Sequence, residues 1–238
     1  MSHTAVIAGV GPGLGAALVR KFAKEGCRVG MFARSAAYLQ RLEAELKQQS
    51  CGVLAVPVDL REPTQVAAGF RAVRESFGPV EILVHHAGSA SWKGLLDLTP
   101  DELEQGWRVA VYGGFLCARE AVPDMLKKGR GTILFTGATS SVRGRGGALA
   151  FSSAKFAVRG MAESLARELW PKGIHVAHVV IDGVIDTPDV RQNYRPDADE
   201  PLLNPDAIAD SYWNLVQQER SAWTMELDLR PYKEEFFV

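Results

Sequence analysis

The chain shows none of the features that mark membrane-spanning, secreted or nucleic-acid-binding proteins. No apolar run in its 238 residues approaches the length that crosses a bilayer. Residues 1–4 lack the basic and then apolar pattern of a secretion signal. Lys and Arg total 27 against 28 Asp and Glu, a net charge of -1, so no charge excess favours nucleic acid or an anionic membrane surface. We therefore expect a cytoplasmic protein that binds neither.

Cysteine is also scarce. The three cysteines, Cys27, Cys51 and Cys117, include no Cys-x-x-Cys pair. An odd number at wide spacing does not fit a disulfide framework or a zinc site. We expect all three to be small apolar side chains inside the protein, and we expect no bound metal.

Short β-branched segments alternate with longer helical ones along the chain. Candidate strands lie at 4–9, 28–33, 53–57, 81–85, 132–137 and 175–180, with a last one at 222–229. This alternation is typical of a parallel sheet with helices on both faces. The composition, 47% hydrophobic and 23% charged, suits one globular domain over residues 1–238. We therefore predict a single-domain, doubly wound α/β fold with a seven-stranded, mostly parallel sheet.

Three segments carry apolar residues at helical spacing, and each predicts a helix with one apolar face. These residues are Leu14, Ala17, Leu18 and Phe22; then Leu103, Trp107, Ala110, Val111 and Phe115; then Ala154, Val158, Met161 and Leu165. Residues 188–205 are the least regular stretch and predict a substrate loop or lid. The last strand reads as an edge strand, with Glu226, Asp228 and Arg230 on a face directed to solvent or to another subunit.

A glycine-rich loop follows the first strand. The fingerprint Gly-x-Gly-x-x-Gly fails, because Leu14 stands at its third glycine, but Gly9, Gly13 and Gly15 fit the spacing Gly-x-x-x-Gly-x-Gly. Glycine lets the backbone approach a phosphate closely, and the helix that follows presents free N–H groups to it. The alternative, a simple tight turn, needs no ligand.

This spacing resembles the short-chain dehydrogenase/reductase family, whose fold is Rossmann-like, and the resemblance runs from residue 4 to about residue 187. Asp59, followed by Leu60, matches the family's adenine-contacting aspartate. The family's Asn-Asn-Ala-Gly reads His-His-Ala-Gly here, ending in Ala87 and Gly88. The family's Pro-Gly-x-x-x-Thr beside the nicotinamide keeps the residues Gly183 and Thr187, while Asp182 replaces the proline. Ala8 replaces the family's usual threonine before the first glycine.

The end of the second strand indicates which dinucleotide binds. NAD enzymes place a carboxylate there, about 20 residues after the glycines, to hold the ribose 2′-OH. Here that position is Ala33, and the next residue is Arg34. A missing carboxylate and a guanidinium that grips phosphate predict NADP(H) as the cofactor. The alternative for Arg34 is an ordinary surface arginine.

The family's catalytic positions have lost their polar atoms. The resemblance implies a Tyr that donates a proton, a Lys four residues later, a Ser that polarises the carbonyl and an Asn that anchors a water relay. Here Phe151 stands at the Tyr position, Ala138 at the Ser position and Ala110 at the Asn position, and only Lys155 remains. The chain is thus similar to a divergent subgroup of the family that carries Phe before the Lys.

Several other side chains are candidates for the missing proton donor. They are Thr139, Ser140, Ser141, His85, His86, Tyr112 and Tyr194. For the hydroxyl groups after Ala138 the alternative is loop capping, and for at least one histidine it is a buried ring bonded to backbone. We expect Tyr112 to point away from the face of Ala110, and Tyr194 to lie in the lid.

Three functions follow as hypotheses. The first is an NADP(H)-dependent oxidoreductase that transfers a hydride to a small carbonyl, enone or imine substrate. The second is a non-catalytic NADP(H)-binding sensor or partner subunit. The third treats the glycines as structural and has no cofactor. The family resemblance also implies a homodimer or homotetramer, with the helices of residues 103–115 and 154–165 packed against partner copies.

Overall fold

The computed structural model describes residues 3–89, 91–197 and 199–233. Its strands are β1 (Thr4–Ala8), β2 (Arg28–Ala33), β3 (Val53–Pro57), β4 (Ile82–His85), β5 (Gly131–Thr136), β6 (Ile174–Ile181), β7 (Val184–Ile185), β8 (Leu202–Leu203) and β9 (Glu226–Leu229). Seven of them form one sheet in the order β3-β2-β1-β4-β5-β6-β9, in which every neighbouring pair is parallel. Strands β7 and β8 pair separately. The predicted seven-stranded sheet is confirmed.

Helices cover both faces of the sheet. They are α1 (Leu14–Lys24), α2 (Ala36–Gln48), α3 (Pro63–Phe77), α4 (Pro100–Trp107), α5 (Gly113–Lys128), α6 (Leu149–Leu169) and α7 (Pro205–Val216). One buried cluster joins the sheet to α1, α2 and α7, and a second joins it to α3, α5 and α6. Both faces of the strands are therefore buried, which explains why β6 is apolar almost throughout. The predicted single-domain, doubly wound Rossmann-like fold is confirmed.

The strand order creates a crevice at one point of the sheet. The chain moves outward from β1 to β2 and β3, then returns to β4 on the other side of β1. Ala8 at the end of β1 pairs with His85 at the end of β4. Ligands of open α/β sheets bind beyond the carboxyl ends of the strands at such a reversal. The glycine loop after Ala8 and the segment after His85 form the two sides of this crevice.

The last strand is shorter than the sequence suggests. The predicted strand 222–229 is wrong at its start, because only Glu226–Leu229 joins the sheet and Arg220–Ala222 forms a 3₁₀ turn. The side chain of Gln218 accepts the backbone N–H of Thr224 at 2.8 Å. A side chain thus takes the hydrogen bond that a strand partner would otherwise make.

The polar face predicted for this strand is not solvated. Arg159 donates two hydrogen bonds to Glu226, at 2.6 and 2.9 Å. Arg230 contacts Asp182 at 2.7 Å, and its own side chain is only 11% exposed. Only Asp228 is exposed, so a face directed to solvent is wrong for the other two residues, which ion pairs to neighbouring elements keep half-buried. The alternative, a face directed to another subunit, stays a prediction.

A π-helical turn at Arg108–Tyr112 separates α4 from α5. The prediction of one apolar face through this region is wrong, because Trp107 and Phe115 are 44% and 45% exposed while Ala110 and Val111 are buried. A π turn adds a residue to the helical repeat and rotates the face that follows.

The cysteine prediction holds for Cys27 and Cys117, which are buried, and is wrong for Cys51, which is half-buried. All three are free thiols. Within residues 3–89, 91–197 and 199–233, no helix has the length and apolar character that crossing a bilayer requires.

Residues 188–205 contain more regular structure than predicted. A π-helical turn covers Val190–Tyr194, β8 follows, and Pro205 begins α7. The O–H of Tyr194 donates to Glu200 at 2.9 Å. Residue 198 lies outside the described residues. The role of this stretch as a lid stays a prediction.

Candidate cofactor and active site

The glycine loop is closely packed against the other side of the crevice. Gly9 has a φ of +107°, and a Cβ atom there would lie 2.5 Å from the backbone nitrogen of Ala87. Gly13 has a φ of +133°, and its Cβ would lie 2.7 Å from Thr187 Cγ2. The loop therefore requires glycine at both positions. The fold thus brings two residues from distant parts of the sequence, Ala87 and Thr187, against one glycine loop.

The first turn of α1 is open at its N-terminal end. Leu14 begins the helix, Gly13 precedes it without a capping side chain, and no acidic residue lies in the first turn. A Cβ on Gly11 would meet no atom within 4 Å, whereas one on Gly15 would lie 2.7 Å from the carbonyl oxygen of Gly9. Uncapped N–H groups beside open space suit an anionic ligand such as a phosphate.

The end of β2 carries positive charge. Ala33 ends the strand and Arg34 after it is exposed. Asp59 accepts a hydrogen bond from Arg61 Nε at 2.9 Å. The pKa of Asp59 is lowered, first by this bond and in smaller part by the charge of Arg34. Leu60 is buried beneath them. The structure thus brings Arg34 and Asp59 into electrostatic reach of each other.

Lys155 lies beside the segment after β4 that forms one side of the crevice. Its ammonium is buried and donates to the carbonyl oxygen of Thr136 at 2.8 Å. A Cβ on Gly88 would lie 3.6 Å from Lys155 Nζ, so the segment after β4 passes directly beside it. Burial lowers the pKa of Lys155 to about 8. Among the described contacts, this ammonium has a single backbone acceptor.

An aromatic ring lies one helical turn before this cation. The Phe151 ring centroid is 5.6 Å from Lys155 Nζ and 5.5 Å from that of Trp92. Ala138 lies two residues after the end of β5, in extended conformation, and directly precedes a 3₁₀ turn. Ala110 is buried, and its carbonyl oxygen accepts from His85 Nε2 at 2.8 Å. None of the methyl or phenyl groups at these positions can donate a proton.

The model of the short chain dehydrogenase family matches residues 3–199. The chain belongs to this family. The resemblance derived from the sequence is thereby confirmed, and the fold described above is that of a short-chain dehydrogenase.

Individual relatives resemble it over three quarters of their length or more. A structure of a short-chain dehydrogenase from Rhodopseudomonas palustris is 37% identical, covers 97% of this chain and 99% of its own, and has a TM-score of 0.84. A metagenomic short-chain oxidoreductase in complex with NADP is 25% identical over 98% of both chains, with a TM-score of 0.84. The 3alpha-hydroxysteroid dehydrogenase of Mediterraneibacter gnavus is 30% identical over 78% of this chain and 75% of its own.

Most of the alternative donors of this short-chain dehydrogenase are already engaged. Thr139 donates its hydroxyl to Asp182. Ser141 Oγ accepts from the N–H of Ala138 at 3.0 Å, which fixes its position but does not use its own proton. His85 is buried and bonded to backbone as the alternative reading held. Tyr194, as noted, donates to an acid in its own segment.

The remaining candidates differ in position. Ser140 is buried. Tyr112 stacks on Phe115, with centroids 6.3 Å apart, and is half-buried where Ala110 is buried. His86 Nδ1 lies 3.3 Å from Thr136 Oγ1. Burial first, and the charge of Lys155 second, lower the pKa of His86 to about 3, so its ring is neutral.

The structure also contains a charged cluster that the sequence did not predict. Asp182 at the end of β6 is buried, and its carboxylate contacts Arg143 Nη2 at 3.0 Å and Arg230 Nη2 at 2.7 Å. Thr139 is bonded to the same group. The one signal in the sequence is an acid directly after a strand that is apolar almost throughout. The cluster joins the loops that follow β5, β6 and β9.

Proposed function

We propose that the protein is an NADP(H)-dependent oxidoreductase that transfers a hydride to a small carbonyl, enone or imine substrate. The observation that carries this proposal is Lys155, whose buried ammonium lies beside Gly88 and Thr136 at one side of the crevice. A buried cation without a carboxylate partner is costly. An anionic or polyhydroxylated ligand in the crevice would accept hydrogen bonds from this ammonium and so offset the cost of its burial.

The crevice fits a dinucleotide. The pyrophosphate would be held by Gly9, Gly13, Leu14 and Gly15. Side chains on the three glycines would collide with neighbouring protein atoms, so glycine is needed for the loop to keep this shape. The remaining contacts that we propose are Ala33, Arg34, Asp59, Leu60, Ala87, Gly88, Lys155, Gly183 and Thr187. A bound nicotinamide supplies the hydride. Nicotinamide cofactor binding is further supported by family membership and by the NADP complex of a relative.

The preference for NADP(H) over NAD(H) rests on β2. Ala33 offers no carboxylate to a ribose 2′-OH, and Arg34 is exposed where a 2′-phosphate would lie. A carboxylate would repel that phosphate, whereas a guanidinium binds it through paired hydrogen bonds.

The substrate preference follows from the lost hydroxyls. General acid catalysis contributes about 10²–10⁴-fold to rate, and Phe151, Ala138 and Ala110 can supply none of it. Reduction of a conjugated C=C bond or of an imine needs less acid help than reduction of a ketone. Lys155 orients the ribose, and residues 188–205 close over the substrate.

A second candidate function is a cofactor-binding sensor or partner subunit without catalysis. It is favoured by the packing of Phe151 against Trp92, which places apolar surface where the family has its proton donor. Either function is compatible with a homodimer or homotetramer in the cytoplasm.

Turnover separates the two candidates. Purified protein saturated with NADPH would be given cyclohexanone, cyclohexenone and dihydroisoquinoline, and NADPH consumption would be followed. We expect cyclohexenone or dihydroisoquinoline to be reduced and cyclohexanone not, with loss of the activity in Lys155→Met. If NADPH binds but none of the three is reduced, the sensor function replaces the oxidoreductase.

A further inference from the structure

Two cations flank two aromatic rings beside the segment that follows β4. Lys155 Nζ lies 5.6 Å from the Phe151 centroid, that ring lies 5.5 Å from Trp92, and the guanidinium of Arg145 lies 5.5 Å from the Trp92 ring. We call these four residues the cation–aromatic stack. It joins the loop after β4 to the loop after β5 and to α6.

The outer cation of the stack has no acidic partner. Among the described residues, no carboxylate lies within ion-pair distance of Arg145, whereas nearby Arg143 is paired with Asp182. The backbone N–H of Arg145 donates to Ser152 Oγ at 3.3 Å, which ties this loop to α6. Arg145 is exposed. The bond to Glu200 raises the pKa of Tyr194, and the positive charge of Arg145 offsets a small part of that rise. The guanidinium therefore lies near a residue of the predicted lid as well as over the Trp92 ring.

The two rings of the stack are tilted by 52° to each other. Trp92 contacts Phe151 and lies under the Arg145 guanidinium but is still 61% exposed, so part of the indole is accessible to a ligand beside that guanidinium. Rings of this kind bind a planar, conjugated body by stacking. The positive charges of Lys155 and Arg145 disfavour an iminium ion and favour an anion.

We propose that the substrate is a planar, conjugated compound that carries a carboxylate, with its flat body on Phe151 and Trp92 and its carboxylate on Arg145. The planar guanidinium matches a carboxylate through paired hydrogen bonds. This proposal rests on the proposed oxidoreductase function and selects the anionic enones from its three substrate classes.

Binding of a matched pair of probes tests this assignment. Protein saturated with NADPH would be titrated by calorimetry with cinnamate and with cinnamamide, which share one planar body and differ in charge. We expect cinnamate to bind about fivefold more tightly at low ionic strength, near the upper limit for an exposed ion pair, and we expect salt to reduce the difference. Arg145→Gln removes the difference, and Arg71→Gln, an exposed arginine on α3, keeps it.

Each other outcome overturns the assignment. Equal binding of the two probes excludes the anion site, as does a preference that persists in Arg145→Gln. If Arg145→Gln weakens both probes equally, the arginine acts on the lid instead of on a carboxylate. NADPH binding is titrated before either probe is added, and this titration reports separately on the proposed function. A protein that binds NADPH but does not prefer cinnamate to cinnamamide disproves the anion site alone.

Discussion

Phe151 lies one helical turn from the buried ammonium of Lys155, and the sequence resemblance assigns it to the family's Tyr position. We expect this residue to set the chemistry of this short-chain dehydrogenase. A tyrosine hydroxyl at this position would lie near the Lys155 ammonium, and that positive charge would lower the pKa of the tyrosine. We predict that Phe151→Tyr combined with Ala138→Ser raises NADPH-dependent reduction of cyclohexanone by about 10²-fold or more.

The neighbouring Phe156 provides the control for this prediction. It lies on the same helix but is 43% exposed, so Phe156→Tyr adds a hydroxyl without placing it in the crevice. Steady-state rates of both variants would be compared with those of the original protein. No gain in the Phe151 double variant, or an equal gain in Phe156→Tyr, would show that the missing hydroxyls do not limit the reaction.

A buried histidine makes the stability of the protein depend on pH. His85 Nε2 donates to the carbonyl oxygen of Ala110, while Nδ1 has no partner among the described residues. Burial lowers its pKa from 6.5 to about 4. Below pH 6.5 the unfolded chain therefore binds a proton that the folded protein does not, and stability falls.

We predict that the free energy of unfolding decreases by ~3 kcal/mol through His85 between about pH 6.5 and pH 4. Urea unfolding at several pH values measures this slope. His85→Gln keeps an amide donor for the carbonyl of Ala110 but does not titrate, so its slope should be smaller. The same slope in both proteins would contradict the assignment.

At the scale of elements, β9 depends on one carboxylate. Glu226 accepts two hydrogen bonds from Arg159 on α6 and one from His178 Nδ1 on β6, at 2.9 Å. The His178 side chain is fully buried. The last strand is only four residues long, so these bonds hold a short edge strand in the sheet.

We predict that Glu226→Gln lowers the free energy of unfolding by about 1–3 kcal/mol, because it leaves Arg159 without its charged partner. Glu163→Gln is the matched control, since Glu163 approaches the same arginine at 3.7 Å as an exposed pair, and it should cost less than about 1 kcal/mol. Equal losses in chemical denaturation would show that Glu226 does not anchor the strand.

Elements differ in how well the sequence predicts them. The buried strands were predicted within a residue or two, because β-branched runs bounded by glycine and polar residues define them locally. The start of β9 is not predicted correctly, because the Gln218 side chain accepts the backbone N–H of Thr224 that a neighbouring strand would otherwise bond. The π turn at Arg108–Tyr112 has no local signal at all, and it shifted the predicted helix face.

At the scale of the whole molecule, the sheet and the glycine side of the crevice were predictable and the charged cluster was not. The glycine spacing predicts positions where only glycine fits, and the positive φ angles and close contacts of Gly9 and Gly13 agree with this. The contact of Arg143 with Asp182 joins residues 39 apart in sequence, and no periodicity reports such a contact. Only the packing of three loops brings these charges together.

The exposed apolar side chains of the molecule predict its assembly. Phe115 on α5 and Phe156 on α6 are 45% and 43% exposed, on the two helices that the family resemblance assigns to subunit contacts. Large apolar groups of this kind mark interfaces. We predict a dimer or tetramer by light scattering, and dissociation in the double variant Phe115→Asp, Phe156→Asp. A monomeric original protein would refute this prediction.

The most direct test of the account is the binding of NADPH and NADH to the purified protein, followed by cofactor fluorescence. The exposed Arg34 beside Ala33 predicts that NADPH binds at least about tenfold more tightly than NADH, the equivalent of one charge-assisted hydrogen bond. Arg34→Glu should remove this preference. Failure of both cofactors to bind at millimolar concentration, or equal binding of the two, would contradict the account.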